Sequence, residues 1–149
     1  MDVFPISPAS PRPLWILVCV CVLLLIILGA LSYTAWSSRN SRVELGSDGI
    51  RLAGDFWARR IPYRDLDVTA ARVLDLTQSP RYTPARRTLG TGLPGYASGW
   101  FRLRSGEKAL VYLTRRDRVV YVPTSLGYSL LLSIAEPRRF VERLGQLGS

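Results

Sequence analysis

The stretch Gly90-Thr91-Gly92-Leu93-Pro94-Gly95 sets three glycines at the G-x-G-x-x-G spacing with which a backbone cradles a dinucleotide pyrophosphate. That chemistry needs a preceding strand, a following helix whose positive end meets the phosphates, and an acidic side chain about 20 residues on for the ribose. The context lacks all three. A broken polar stretch, RYTPARRTL, precedes Gly90, a strand pattern follows Gly95 with Pro94 lodged in the turn, and the region around Leu110 is apolar. Gly90, Gly92 and Gly95 therefore read as backbone-permissive positions that turn a long loop into the next strand. No cofactor is expected.

Other chemistries are also short of parts. The chain has no histidine, which excludes His-based acid-base catalysis and leaves its serines only a pairing with the sole lysine, Lys108. Cys19 and Cys21 stand two apart inside an apolar run, pointing to different faces of a helix, and are too few to hold a metal. Asp65 and Asp67, in YRDLD, could bind a cation or move a proton. Beside a bend they read as a turn or capping feature paired with Arg64. A non-catalytic protein without a metal is expected.

Cations remain. The 149 residues carry 20 Lys and Arg against 11 Asp and Glu, a net charge of +9, and every basic residue except Lys108 is arginine. Arg81, Arg86 and Arg87 stand in the long loop, and Arg115, Arg116 and Arg118 in the turn RRDR. Their concentration in connections makes them a candidate surface for anionic lipid headgroups or an acidic partner. The competing reading is a solvated turn in which Asp117 partly neutralises its neighbours. Arg81-Tyr82 and Trp100-Phe101-Arg102 also interleave cations with aromatics as nucleic-acid surfaces do. However, Trp100 and Phe101 open a strand that must bury at least one of them, so nucleic acid is not the expected partner.

The elements that would position these residues fall into two parts. Residues 1–13 contain four prolines and form the expected disordered tail. From Leu14 to Trp36 the chain is uncharged, with Trp15, Tyr33 and Trp36 near the ends. A helix of that length reaches about 34 Å at ~1.5 Å per residue, enough for a hydrocarbon layer roughly 30 Å thick. A cleaved signal peptide is the competitor, since Ala30-Leu31-Ser32 offers a small-x-small site, but the apolar run is longer than an export segment requires. A single-pass anchor at 14–36 is therefore expected. Arg39, Arg42 and Arg51 follow it and only Arg12 precedes it, which favours a cytoplasmic carboxyl-terminal domain.

After a linker at 37–41, RVEL, the turn GSDG and IRLA alternate as a hairpin, and FWARRI continues as a third strand until Pro62. Ala71 to Leu76 reads as another strand, and Thr77 to Gly95 as a long connection broken by Pro and Gly. SGWFRL, KALVYLT, VVYVPT and YSLLLS then follow at even spacing, as in an antiparallel meander. In EPRRFVERLGQL the apolar residues Phe140, Val141, Leu144 and Leu147 recur at helical spacing, with Pro137 in the first turn and Glu136 or Ser133 as cap. About seven strands closed by one helix are expected.

In GIRLAGDFWARRIPYRDL, GTGLPGYASGWFRL, KALVYLT, VVYVPTSLGYSLLLS and EPRRFVERL the sequence resembles the bacterial pleckstrin-homology-like (PH-like) domains that are often attached to membrane segments. The resemblance spans residues 42–147. It implies a mainly β fold, a partly open barrel of two antiparallel sheets capped by the carboxyl-terminal helix, in a bacterial cell membrane. It does not by itself imply a ligand. Some eukaryotic relatives bind phosphoinositides through a basic first hairpin, whereas the turn here, Gly46-Ser47-Asp48-Gly49, is acidic. Binding of a protein partner at the membrane is the leading expectation, with anionic lipid the alternative.

Overall fold

The computed structural model describes residues 12–54 and 56–149. Most of the expected tail at 1–13, and Asp55, lie outside them. The chain divides into two units, residues 1–37 and 38–149.

In the first unit, helix α1 runs over Arg12–Asn40. Its stretch Arg12–Trp36 contains an 18-residue window of mean hydropathy 3.2 and is long and apolar enough to cross a membrane. The helix continues through most of the stretch expected as a linker at 37–41. No Gly or Pro interrupts it there, and Arg39 in its last turn complements the helix dipole.

The second unit is built on two sheets. Strands β1 (Arg42–Leu45), β2 (Gly49–Ala53) and β3 (Arg59–Pro62) form an antiparallel sheet in that order. The third strand begins later than FWARRI suggests, because Phe56 and Trp57 lie in a turn. Two short 3-10 turns, Tyr63–Asp65 and Val68–Ala70, lead to β4 (Arg72–Leu74). Then come β5 (Pro84–Leu93), β6 (Tyr96–Leu103), β7 (Lys108–Leu113), β8 (Val119–Pro123), β9 (Ser129–Leu132) and helix α2 (Pro137–Gly148). The second sheet has the order β4-β8-β9-β7-β6-β5. The expected partly open barrel with a helical cap is thus present, with nine strands among the described residues rather than about seven.

Two departures from the sequence expectation bear on function. First, the connection expected from Thr77 to Gly95 contains β5, a ten-residue strand paired along β6. Leu93 pairs with Tyr96, so Pro94-Gly95 is a two-residue hairpin turn, with Pro leading and Gly95 at φ +80°. Gly90 pairs with Gly99, and both have positive φ, +140° and +118°. A Cβ on Gly90 would stand 2.3 Å from the Ser98 carbonyl oxygen, so only glycine permits this close, bent pairing. The residues that looked like breakers are what let the strand follow β6.

Second, β7 and β8 are not a hairpin. Strand β9 lies between them, parallel to β7 and antiparallel to β8. The connection from Thr114 to Arg118 therefore steps over the end of β9, where Ser133 Oγ accepts from the Thr114 and Arg115 amides, each at 3.1 Å, and donates to the Arg115 carbonyl at 3.0 Å. This engagement also takes Ser133 away from capping α2. Glu136 occupies the N-cap position without a side-chain cap bond and pairs with Arg139 at 3.0 Å instead.

The large sheet is covered on both faces, which is why its central strands are almost continuously apolar. One face packs Leu110, Tyr112, Val120, Val122, Leu130 and Leu132 against Ile50, Leu52 and Ile61 of the small sheet and Phe140 and Leu144 of α2. The other buries Phe101, Leu103, Ala109, Val111, Val119, Tyr121 and Leu131 beneath Leu76 and the half-buried Leu74 and Tyr82. Exposed cations can therefore gather only at the margins of this sheet.

Candidate functional site

The six arginines singled out from sequence do not form one surface. Arg115 donates to Asp117 through Nε at 3.0 Å and Nη2 at 2.8 Å, and Arg118 Nε stands 3.8 Å from the same carboxylate. The hydrogen bond from Arg115 holds the Asp117 carboxyl below the usual carboxylate range and raises the Arg115 guanidinium above its ordinary value. Arg116 holds the chain by its backbone, its carbonyl accepting from the Leu76 amide at 2.8 Å. Arg81 lies beyond the far end of β7, where its carbonyl accepts from the Ser105 amide at 2.9 Å and its guanidinium stands 5.6 Å from the centre of the Tyr82 ring.

Arg86 and Arg87 part company within β5. They oppose Arg102 and Phe101 of β6, so they face opposite sides of the sheet. Arg87 reaches toward Gly92, where an added Cβ would meet Arg87 Nη1 at 3.8 Å and the Phe101 ring at 3.7 Å. Of the glycines, Gly90 and Gly92 are strand residues and Gly95 alone is in a turn.

What the fold does bring together is a row of cations. Arg86 pairs with Arg102, and Arg102 in turn pairs with Lys108, so three positive side chains stand directly opposite one another across β5, β6 and β7. Trp100, two residues before Arg102, shares their face. Lys108 Nζ lies 4.5 Å from the centre of the Trp100 ring, and Arg59, arriving from β3 of the small sheet, lies 4.9 Å from it. Tyr128 meets Trp100 edge-on at 4.9 Å and braces the indole.

Like charges directly opposite in a sheet are destabilising, and here no carboxylate relieves them. Among the described residues the ion pairs involve Arg60, Arg64, Arg115, Arg118 and Arg139, none of which belongs to the row. Glu107 precedes Lys108 in sequence but points to the opposite face. There it accepts from Tyr121 Oη at 3.1 Å and from the Ser129 hydroxyl. On that face Arg72 donates to Tyr82 Oη and lies 5.2 Å from the Tyr121 ring centre. Burial raises the Tyr121 phenol, which stays protonated.

The sequence reading passes over Arg59, and it weighs Arg102 only within an interleaved nucleic-acid pattern and Lys108 only as a partner for serine, never together. The signal was the pair Trp100-x-Arg102 at strand spacing, with Lys108 opposite Arg102 across the turn Arg104–Glu107. It does not extend to Arg86, whose place opposite Arg102 depends on the strand pairing of β5.

Of the two carboxylates, Asp67 caps the second 3-10 turn and Asp65, inside the first, pairs with Arg64. Asp67 Oδ1 accepts from the Ala70 amide at 3.2 Å and from Thr69 Oγ1 at 2.8 Å, and Asp65 stands 3.9 Å from Arg64. Among the described residues no three His, Cys, Asp or Glu side chains gather as metal ligands would.

Two sheets of three and six strands, unclosed and capped by a carboxyl-terminal helix, define a PH-like domain, here preceded by a long apolar helix. The family model described as bacterial PH domain matches residues 41–148, and the chain belongs to that family. Domains of this family are generally non-catalytic. Comparison with curated proteins and with solved structures returns no match.

Proposed function

We propose that the chain is a single-pass protein of the bacterial cell membrane whose non-catalytic domain docks a protein partner along the free edge of β5. One observation carries this reading: β5 is ten residues long, ends the six-stranded sheet, and among the described residues pairs with β6 alone. Its backbone groups on the other side are a template for a further strand.

Natural edges are blunted by charge, proline and bulges. The first half of β5 has all three, in Pro84, Arg86, Arg87 and two one-residue register shifts. The second half, Leu89 to Leu93, has none, keeps regular register, and leaves Leu89 58 % and Leu93 45 % exposed. The opposite edge of the sheet, β4, has three residues and packs against α2. The occupant that fits β5 is an extended segment of another membrane protein, with apolar side chains to cover Leu89 and Leu93.

The anchor reading is supported by the length and hydropathy of Arg12–Trp36, and the cytoplasmic placement of the domain by Arg39, Arg42 and Arg51 after it. A photo-crosslinking residue at Leu89, in cells expressing the full chain, tests the docking surface. One dominant protein adduct is expected, lost when Leu93 is replaced by Lys and not formed from Arg138. Lipid adducts alone would remove the protein reading.

A further inference from the structure

We propose that Arg59, Arg86, Arg102 and Lys108, gathered around Trp100, form a binding site for a phosphate-bearing ligand. This site shares Arg86 with β5 but does not rest on partner docking there, and it consists mostly of residues outside the basic clusters evident in the sequence.

The first ground is the uncompensated row. Arg86, Arg102 and Lys108 stand opposite one another across two successive strand pairs. Within the folded domain the row's like charges oppose one another; Arg102 Nη1 donates to the Gly106 carbonyl at 2.8 Å, which holds the side chain without neutralising it, and the one carboxylate in the adjoining turn, Glu107, is tied to Tyr121 and Ser129 on the other face. A local conflict that the fold leaves unrelieved is characteristic of a functional position.

The second ground is placement. Arg59 belongs to the small sheet and the other three cations to the large one, so the site draws on both sheets. Arg59 and Lys108 both lie over the same indole, so they are no further apart than the sum of their distances to it. The ring holds them without neutralising them. Trp100 is half-buried and braced by Tyr128, so the cations sit on a fixed platform.

The third ground is chemistry. Three of the four cations are arginines, whose planar forks match phosphate oxygens in pairs, and lysine adds a point charge. A phosphate offers three or more acceptor oxygens to donors arriving from several strands, whereas one carboxylate offers two. The ligand is thus a phosphate ester, carried either on a lipid headgroup or on a soluble molecule.

The test uses the full chain in phosphatidylcholine nanodiscs at fixed ionic strength, with the Trp100 indole N–H resonance as readout, assigned by Trp100→Phe. Glycerol 3-phosphate is titrated in one arm. In a second arm, phosphatidic acid is built into the disc without soluble phosphate. In a third, hexaglutamate is added. The Trp100 signal is expected to move in the first or second arm, which names the source, and to stay still in the third. Arg59→Gln/Lys108→Gln should weaken the response by about tenfold or more, the loss expected for charge-assisted bonds, while Arg138→Gln/Arg139→Gln responds as the wild type does. Arg102→Gln, which leaves both cations on the indole, should give an intermediate loss. The proposal is overturned if neither phosphate source moves the signal, if both double variants lose it equally, or if hexaglutamate moves it as strongly.

Discussion

Two basic regions of the domain differ in a way that their sequences invert. The turn Arg115 to Arg118 packs three arginines into four residues, yet it contains its own acid, and Asp117 draws two of the three guanidiniums to itself. The row of Arg86, Arg102 and Lys108, with Arg59 beside it, is scattered along the chain and becomes dense only through strand pairing. Charge close in sequence is readily neutralised by a neighbour, because short segments can bend one side chain onto another. Charge assembled by register has no such freedom. A cross-strand partner is fixed by the backbone, and relief must come from a third strand or from outside.

The largest effect should come from breaking the register that builds the row. Gly90 faces Gly99 at positive φ, and an added methyl would collide with the Ser98 carbonyl and the Gly99 Cα. Gly90→Ala should therefore destabilise the domain by about 2–4 kcal/mol, combining backbone strain with overpacking. It should also detach Arg86 from Arg102. Gly145→Ala in α2 is the contrasting change, since nothing lies within 4 Å of its added Cβ, and it should stabilise by about 0.5–1 kcal/mol. Thermal unfolding of the full chain in detergent, followed by near-ultraviolet circular dichroism, measures both. Equal stability of Gly90→Ala and wild type would mean that β5 does not depend on the glycine pair.

The same pair shows where sequence reasoning reached its limit. The first hairpin, the apolar strands and the amphipathic helix were legible, because alternation in RVEL and IRLA and helical spacing from Phe140 to Leu147 report burial directly. Strand β5 was not legible. Its residues from Thr88 to Leu93 alternate weakly, and Gly90 and Gly92 read as breakers unless Gly99 is known to stand opposite. The order of β7, β9 and β8 was equally hidden, since a five-residue turn after Leu113 looks like a hairpin until Ser133 is seen holding it over the end of β9. Without β5 as a strand Arg86 has no place in the row, and without the row nothing joins Arg102 to Lys108. The candidate site failed to appear for want of register rather than for want of residues.

A smaller effect, opposite in sign for the two regions, should follow from changing their charge. Arg102→Glu places an acid between Arg86 and Lys108 and turns two like-charge contacts into attractive ones. It should stabilise the domain by roughly 0.2–1 kcal/mol per contact while abolishing the phosphate response of Trp100. Asp117→Asn removes the only acid from RRDR and should destabilise. Added salt tests the origin of that gain. It screens repulsion in the row, so the gain from Arg102→Glu should shrink as the screening length falls from about 10 Å at 0.1 M toward 3 Å at 1 M. A gain that is unchanged at high salt would show that packing, not charge, is being measured.

The smallest effect is confined to acid pH and to the turn. The Asp117 carboxyl is held below its ordinary value first by the hydrogen bond from Arg115, with the charges of Arg115 and Arg118 adding to it. A carboxyl depressed in the folded state stabilises that state fully above its unfolded value, and the contribution is lost as pH falls through the folded one. Because both side chains are open to solvent, the stability change should be slight, and the titration itself is the better observable. Carbon-detected NMR of the Asp117 carboxyl should place its midpoint below the common carboxylate range, and Arg115→Gln should bring it back up. Lys108→Gln should leave it where it was, since the row lies beyond the other end of β7 and shares no contact with the turn. A midpoint that followed Lys108 instead would mean that the two regions form one electrostatic surface, and the contrast between local neutralisation and assembly by register would no longer hold.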